Sequence, residues 1–184
     1  SVQADHLDAG DAPDLPGCNT FYRTEMFRAV GEFDEELVTA EDVDLHRRLK
    51  AMGKRLRASR KLFVWHDKRP SARALFRQMR RFAEGRVQLN RKAPGSLRPL
   101  HRLIGWFLPG ALVATILLPF ALPMEVIPAG ILAGWALLAG LALRDGERAA
   151  TAVLVAPAAA TMMAGWSLGL LKESWLPMGS TRGR

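Results

Sequence analysis

Cysteine is almost absent. Cys18 is the single one in 184 residues, which excludes an intrachain disulfide framework and any cysteine-based zinc cluster. Aromatic residues make up only 8% of the chain. They are too sparse among the basic residues to stack bases, and no nucleic-acid-binding motif occurs, so nucleic acid is not an expected partner. The largest absence is of charge. Leu103 to Leu122 carries no ionisable residue, and neither does Val126 to Leu143 or Ala149 to Leu171. With no Asp, Glu, Lys, Arg or His deep in these segments, a transporter or proton relay lacks its usual chemistry. The chain begins at Ser1 with neither a signal peptide nor an amphipathic targeting helix, so its beginning is expected upstream.

What is present divides into two halves. The near-zero mean hydropathy averages a charged part up to about Arg102 with an apolar part from Leu103 to Leu171. The formal charge of +8 is uneven, with most acids before Leu45 and the bases crowded between Arg47 and Arg102. A basic block directly before apolar spans suits cytoplasmic membrane anchoring. The three uncharged segments have about the length that crosses a bilayer, and their prolines are tolerable there because neighbouring helices satisfy the freed carbonyls. The expectation is two or three transmembrane helices, 103–122, 126–143 and 149–171, acting as an anchor. Arg98 and Arg102 before the first span, and Arg144 and Arg148 between the second and third, put the N-terminal half in the cytoplasm. By the same count the C-terminus falls outside, although Lys172, Arg182 and Arg184 in the tail run against that step. Gly130 and Gly134, and Gly165 and Gly169, have the spacing of close helix approach within one bundle.

In the charged half, Pro16-Gly17 marks a turn, and Thr24 is placed to cap a short helix from Glu25 to Val30 ending at Gly31. Thr39-Ala40-Glu41-Asp42 has the form of a second helix start, with a Thr cap and an acid three residues on. Leu45, Leu49 and Met52 recur at helical spacing, and Gly53 is the stop. Lys54 to Trp65 has the pattern of a strand pair or irregular strand, with His66 and Asp67 at its tip. Ser71 to Gly85 reads as a third helix. Its stripe of Ala72, Leu75, Phe76, Met79, Phe82 and Ala83 suits a membrane surface or packing on the domain. Gln78 and Arg81, one turn apart, can jointly hold a phosphate.

The stretch Glu41-Asp42-Val43-Asp44 admits three readings. It is an Asp-x-Asp that holds a metal against a diphosphate, the acidic first turn of an ordinary amphipathic helix, or the seat of a catalytic base. Helix capping accounts for acids here, but not for three packed together.

The order Gly17-Cys18-Asn19, Arg23, Gly31-Glu32-Phe33-Asp34-Glu35, Glu41-Asp42-Val43-Asp44-Leu45, Arg48-Leu49, Gly53, His66, Gln78-Met79-Arg80-Arg81-Phe82 resembles family-two glycosyltransferases. More narrowly it resembles their membrane-anchored bacterial exopolysaccharide (succinoglycan-type) members. The resemblance covers about Leu15 to Arg86. It implies an α/β fold, the C-terminal part of an A-type glycosyltransferase, followed by an all-α bundle of two to three transmembrane helices. It further implies a nucleotide-diphosphate sugar donor, a divalent metal (Mg or Mn) and inversion at the anomeric carbon. Carried over residue by residue, Asp42 is the general base and Glu41 shapes its field, while Asp44 is structural. Asn19, Gln78, Arg81 and Phe82 fall at substrate-binding positions, and His66 at a metal or diphosphate position. Phe82 stands where processive synthases have Trp, which leaves single addition as open as processive extension. The metal-binding Asp-x-Asp of the pattern has no counterpart before Gly17, since Asp11-Ala12-Pro13-Asp14 has the wrong spacing.

The expected organisation is an acceptor-side catalytic part over 1–92, a basic linker over 93–102, transmembrane helices over 103–171 and a tail over 172–184. The expected function is transfer of a sugar to a lipid-linked or growing polysaccharide acceptor at the bacterial inner membrane, with the donor-binding half outside this chain. The alternative is a non-enzymatic membrane protein whose basic juxtamembrane region binds anionic lipid or a partner.

Overall fold

The computed structural model of the protein describes residues 10–59, 63–65, 67, 69–123 and 126–175. Strand β1 (Gly10–Asp11) pairs antiparallel with β2 (Arg57–Ala58), Gly10 lying opposite Ala58 and Asp11 opposite Arg57. These two-residue strands form the one sheet among the described residues. The rest is mostly helical, so the α/β character expected from the resemblance is not displayed by the described part. The long strand expected over Lys54 to Trp65 reduces to β2, and residues 60–62 and His66 lie outside the described residues.

A 3-10 turn, Gly17–Asn19, follows Pro16. Helix α1 (Thr24–Ala29) starts one residue earlier than expected, with Arg23 rather than Thr24 at its cap, and the chain turns through Gly31 at φ +82°. Helix α2 (Glu41–Ala51) forms where the acidic run predicted it. Its expected cap is wrong. Ala40 occupies the N-cap in the left-handed conformation, φ +68°, while the Thr39 hydroxyl donates to the Arg81 carbonyl at 2.8 Å. The acids Glu41, Asp42 and Asp44 in the first turn, with Arg48 and Lys50 at the other end, offset the helix dipole where side-chain capping is missing. Gly53, φ +70°, ends the segment as expected. Leu45 and Leu49 of α2 and Leu56 make a small core, covered by Leu15, Tyr22, Met26, Phe27 and Val30.

Helix α3 (Ala72–Lys92) opens with the Ser71 hydroxyl accepting the Ala74 N–H. It runs seven residues beyond the stop expected at Gly85. That glycine serves packing rather than termination: a Cβ built there would collide with the Thr39 hydroxyl and carbonyl. The absent side chain thus lets α3 close onto the residues that lead into α2.

The apolar half comprises α4 (Pro99–Gly105), α5 (Phe107–Ala121), α6 (Val126–Arg144), the short α7 (Ala149–Ala152) and α8 (Val155–Trp175). Two helical stretches, Val126–Arg144 and Ala149–Trp175, are long and apolar enough to cross a membrane. The first expected span is instead broken, α4 and α5 meeting at a bend of 42°, so the count is three only if that pair is one span.

The apolar stripe of α3 lies against α8. Gly165 approaches the Phe76 carbonyl and Met79, and Gly169 approaches the Arg80 carbonyl and Ala83. The small-residue spacing therefore serves close approach within one bundle, as expected, with α3 rather than a neighbouring span as partner. Phe82 is 42% exposed and does not belong to the buried stripe. The same end of α8 holds the start of the first apolar segment. Ser167 donates to the Gly105 carbonyl at 2.6 Å and accepts the Leu108 N–H at 3.2 Å, and the Trp166 indole donates to the His101 carbonyl at 3.0 Å. Three full alternating crossings would separate these two ends by the thickness of a bilayer. They touch instead, so the expected placement of the C-terminus opposite the N-terminal half does not follow from this packing.

Candidate active site

Asp42 lies in the first turn of α2, half-buried, facing the 3-10 turn. Its Oδ2 accepts the Gly17 N–H at 3.0 Å and its Oδ1 accepts the Val43 N–H at 2.7 Å. Each carboxylate oxygen thus has one backbone donor and keeps lone pairs free, which suits an oriented proton acceptor. Gly17 leaves room for this approach. A Cβ there would sit 3.0 Å from Asp42 Oδ2 and 3.2 Å from Asp42 Cβ.

Asp44 is turned to another task. It is buried, 4% exposed, and accepts from Arg47 Nη2 at 2.9 Å and Arg48 Nε at 2.8 Å. Arg48 continues to the Val30 carbonyl and to the Glu32 carbonyl, tying the loop of residues 31–35 to α2. From the far side Lys92 pairs with Asp34 and with Glu36 at 2.9 Å, and this ammonium holds the Asp34 carboxyl below its usual range. Asp44 is thus committed to two guanidinium groups, while Asp42 is held by separate backbone donors. Among the described residues no group of three or more His, Cys, Asp or Glu could hold a metal ion. The position at which the resemblance expects a metal, His66, lies outside the described residues.

Beside Asp42 lies a pair that sequence reasoning did not single out. His46 is fully buried, and its Nε2 is 2.9 Å from the Tyr22 hydroxyl. Its Nδ1 has no hydrogen-bond partner among the described residues and is 3.8 Å from Asp14 Oδ1. Burial pushes the His46 imidazole down from its ordinary value, against the pull of Asp42 and Asp14. Burial and then the charge of Asp42 push the Tyr22 phenol up. Asp14, set aside in the sequence for its spacing, also lies 3.7 Å from Lys50 Nζ and 3.7 Å from Arg98 Nη2. One turn beyond the Gln-x-x-Arg-Phe stretch, Arg86 is drawn down by burial while Asp14 and Asp42 act against that.

The remaining expected site residues are dispersed. Glu41 precedes Asp42 in the same turn and acts on Tyr22 through its charge. Asn19 closes the 3-10 turn, its N–H donating to the Pro16 carbonyl at 3.1 Å. Gln78 accepts from Arg69 Nε at 3.1 Å on the exposed side of α3. Arg81 and Phe82 are both exposed, and Arg81 meets the Asp42 region through its backbone carbonyl, by way of Thr39. His66 lies outside the described residues. A mid-helix glycine was the signal available for Gly85 and its neighbour Arg86, because an interior Gly costs helix stability and needs a packing reason.

The family model described as glycosyl transferase family group 2 matches residues 8–168. The chain belongs to that family. This glycosyltransferase-family chain is 31% identical, over 160 residues, to the succinoglycan biosynthesis protein ExoA of Rhizobium meliloti (strain 1021). The match covers 85% of this chain and 47% of ExoA, so the chain spans about half the length of the curated relative it matches. No solved structure matches.

Proposed function

We propose that the chain forms the acceptor-side and membrane-anchoring part of an inverting glycosyltransferase, with Asp42 as its general base. The observation that carries this is the Asp42 carboxylate, fixed by two backbone N–H groups at 3.0 and 2.7 Å with free lone pairs. Support comes from membership of a sugar-transferase family and from similarity to a succinoglycan biosynthesis protein.

The reaction is a direct displacement. An acceptor hydroxyl gives its proton to Asp42 as its oxygen bonds to the anomeric carbon. The bond from that carbon to the diphosphate breaks on the opposite face, and the nucleoside diphosphate leaves with the electron pair. Glu41 shapes the field at the base. Half-buried Gln78 and exposed Arg81 and Phe82 on α3 meet the diphosphate and acceptor, the guanidinium offsetting charge on the leaving group. The acceptor is a lipid-linked or growing exopolysaccharide at the bacterial inner membrane, approached from the cytoplasm. The catalytic part has the A-type α/β fold, the nucleotide-sugar site being built by a half that carries the family's Asp-x-Asp.

The test supplies the complete protein, in membranes, with a panel of labelled nucleotide sugars, followed by analysis of lipid-extractable and polymeric products. The expected result is label from one donor on a lipid-linked or polymeric glycan, with inverted anomeric configuration. Binding of anionic vesicles without transfer from any donor favours the non-enzymatic alternative and removes the proposal.

A further inference from the structure

Helices α4 and α5 meet at a bend of 42°, and its cause is local. Pro109 has no N–H to give the carbonyl four residues earlier, that of Gly105. The buried hydroxyl of Ser167 on α8 supplies that donor at 2.6 Å and accepts the Leu108 N–H at 3.2 Å. Gly105 lets α4 come this close to α8, since a Cβ there would lie 3.1 Å from each Leu170 Cδ. The backbone groups freed by the break are thus satisfied from α8, as a stable break among apolar helices requires.

Across the bend the apolar residues keep helical spacing: Leu100, Leu103, Ile104, Phe107 and Ala111. Together with Met163 of α8 they line an open groove of about 570 Å³, a size in the range of small-molecule sites, roughly 300–1,000 Å³. The lining residues are all apolar, so the groove suits a hydrocarbon and disfavours a polar ligand. Its floor is one helical stripe, which suits a single chain rather than a pair of acyl chains.

The charges at its head decide what that chain carries. Arg102 stands one turn before Trp106, itself a lining residue. It is exposed and, among the described residues, in no ion pair. One turn further back, Arg98 Nη2 is 3.7 Å from Asp14 Oδ2, and Asp14 Oδ1 is 3.8 Å from His46, one turn beyond Asp42 on α2. An anionic group on Arg102 therefore has the apolar groove on one side and the Asp42 site on the other. A phospholipid of the bulk bilayer has no use for that continuity, whereas an acceptor does.

We infer that the bend between α4 and α5 seats a single-chain lipid phosphate that carries the acceptor sugar, its chain in the groove and its phosphate on Arg102. This inference rests on the proposed reading of a lipid-linked acceptor and gives that acceptor a place in the chain.

The experiment uses the complete protein in phosphatidylcholine vesicles, without sugar donor, and a polyprenyl phosphate bearing a diazirine in its chain. Labelling is expected on peptides covering 99–114, with unlabelled polyprenyl phosphate competing and phosphatidylglycerol not. A111F fills the groove with an apolar ring and is expected to weaken labelling at least about tenfold. L117F, at an exposed position of the same helix outside the groove, is expected to leave it at the wild-type level. R102Q is expected to weaken labelling by the phosphate about fivefold to tenfold and to leave labelling by the uncharged polyprenol unchanged. Equal labelling by a diazirine-bearing phosphatidylglycerol overturns the inference, since the groove then holds bulk lipid. Labelling unchanged in A111F overturns it too, as does no labelling by either lipid, the groove then being closed by another segment or a second copy. Transfer assays on the same preparations separate the two readings. Probe labelling that persists where no donor gives transfer removes the proposed function, whereas transfer by A111F with an unchanged lipid-acceptor KM removes the groove alone.

Discussion

At the scale of single residues, orientation comes from groups far apart in the chain. Asp42 is held by the N–H of Gly17, twenty-five residues earlier, and His46 by the hydroxyl of Tyr22, twenty-four residues earlier. The buried His46 makes stability depend on pH with a definite sign. Its folded value lies below the ordinary 6.5 because burial disfavours the charged ring. Between the two values the unfolded chain binds a proton that the folded chain does not, so stability rises with pH through that window. The contribution is present above about 6.5 and is lost as pH falls through the lowered folded value. His46→Gln is expected to flatten this slope, read as melting temperature against pH from about 7 downward. An unchanged slope would mean that His46 is not the group responsible. Of these residues the sequence singled out Asp42 only through the family resemblance, because the acidic run Glu41-Asp42-Val43-Asp44 by itself left three readings open. Gly17 as its donor was not legible, because the contact is made only on folding. His46, followed by two arginines, has the look of a solvated face, and its burial comes from the packing of α2 on Tyr22.

At the scale of elements, α3 joins the two halves, one side seated on Thr39 and another packed on α8. Gly85→Ala places a methyl group where the Thr39 hydroxyl and carbonyl lie, and the overpacking is expected to cost about 1–3 kcal/mol. A lowered melting temperature checks this, and an unchanged one would show that α3 can slide off its seat without cost. Periodicity predicted the existence of α2 and α3 and the acidic start of α2. It misplaced the end of α3, because Gly85 reads as a stop when only local chain preference is weighed. The Thr39 cap failed for a related reason: its hydroxyl is taken by α3, a tertiary contact that outweighs the capping box.

At the scale of the whole molecule, apolar length identified the membrane-type helices but not how they pack. The charge pattern sends the tail to the far side of the membrane, whereas α8 packs its last turns on α3. Ion pairs hold it there: Lys172 Nζ is 3.3 Å from Glu84, and Arg91 Nη1 is 3.0 Å from the buried Glu173. A buried carboxylate such as Glu173, 2% exposed, is stable only with its partner in place. The last turn of α8 is therefore expected on the same side as Asp42. Labelling of cysteines introduced at Arg182 and at Arg28, by a reagent that does not cross membranes, checks this in intact cells and inverted vesicles. Both sites should react only in inverted vesicles, and labelling of the tail alone in intact cells would contradict the packing of α8 on α3.

The central claim is that a sugar acceptor loses its proton to Asp42. Single-turnover transfer by the complete protein carrying D42N tests it most directly, with nucleotide-sugar binding measured on the same preparation. General-base removal is expected to slow the chemical step by about 10²–10⁴-fold while donor affinity stays at the wild-type level. Transfer at the wild-type rate in that variant would contradict the account.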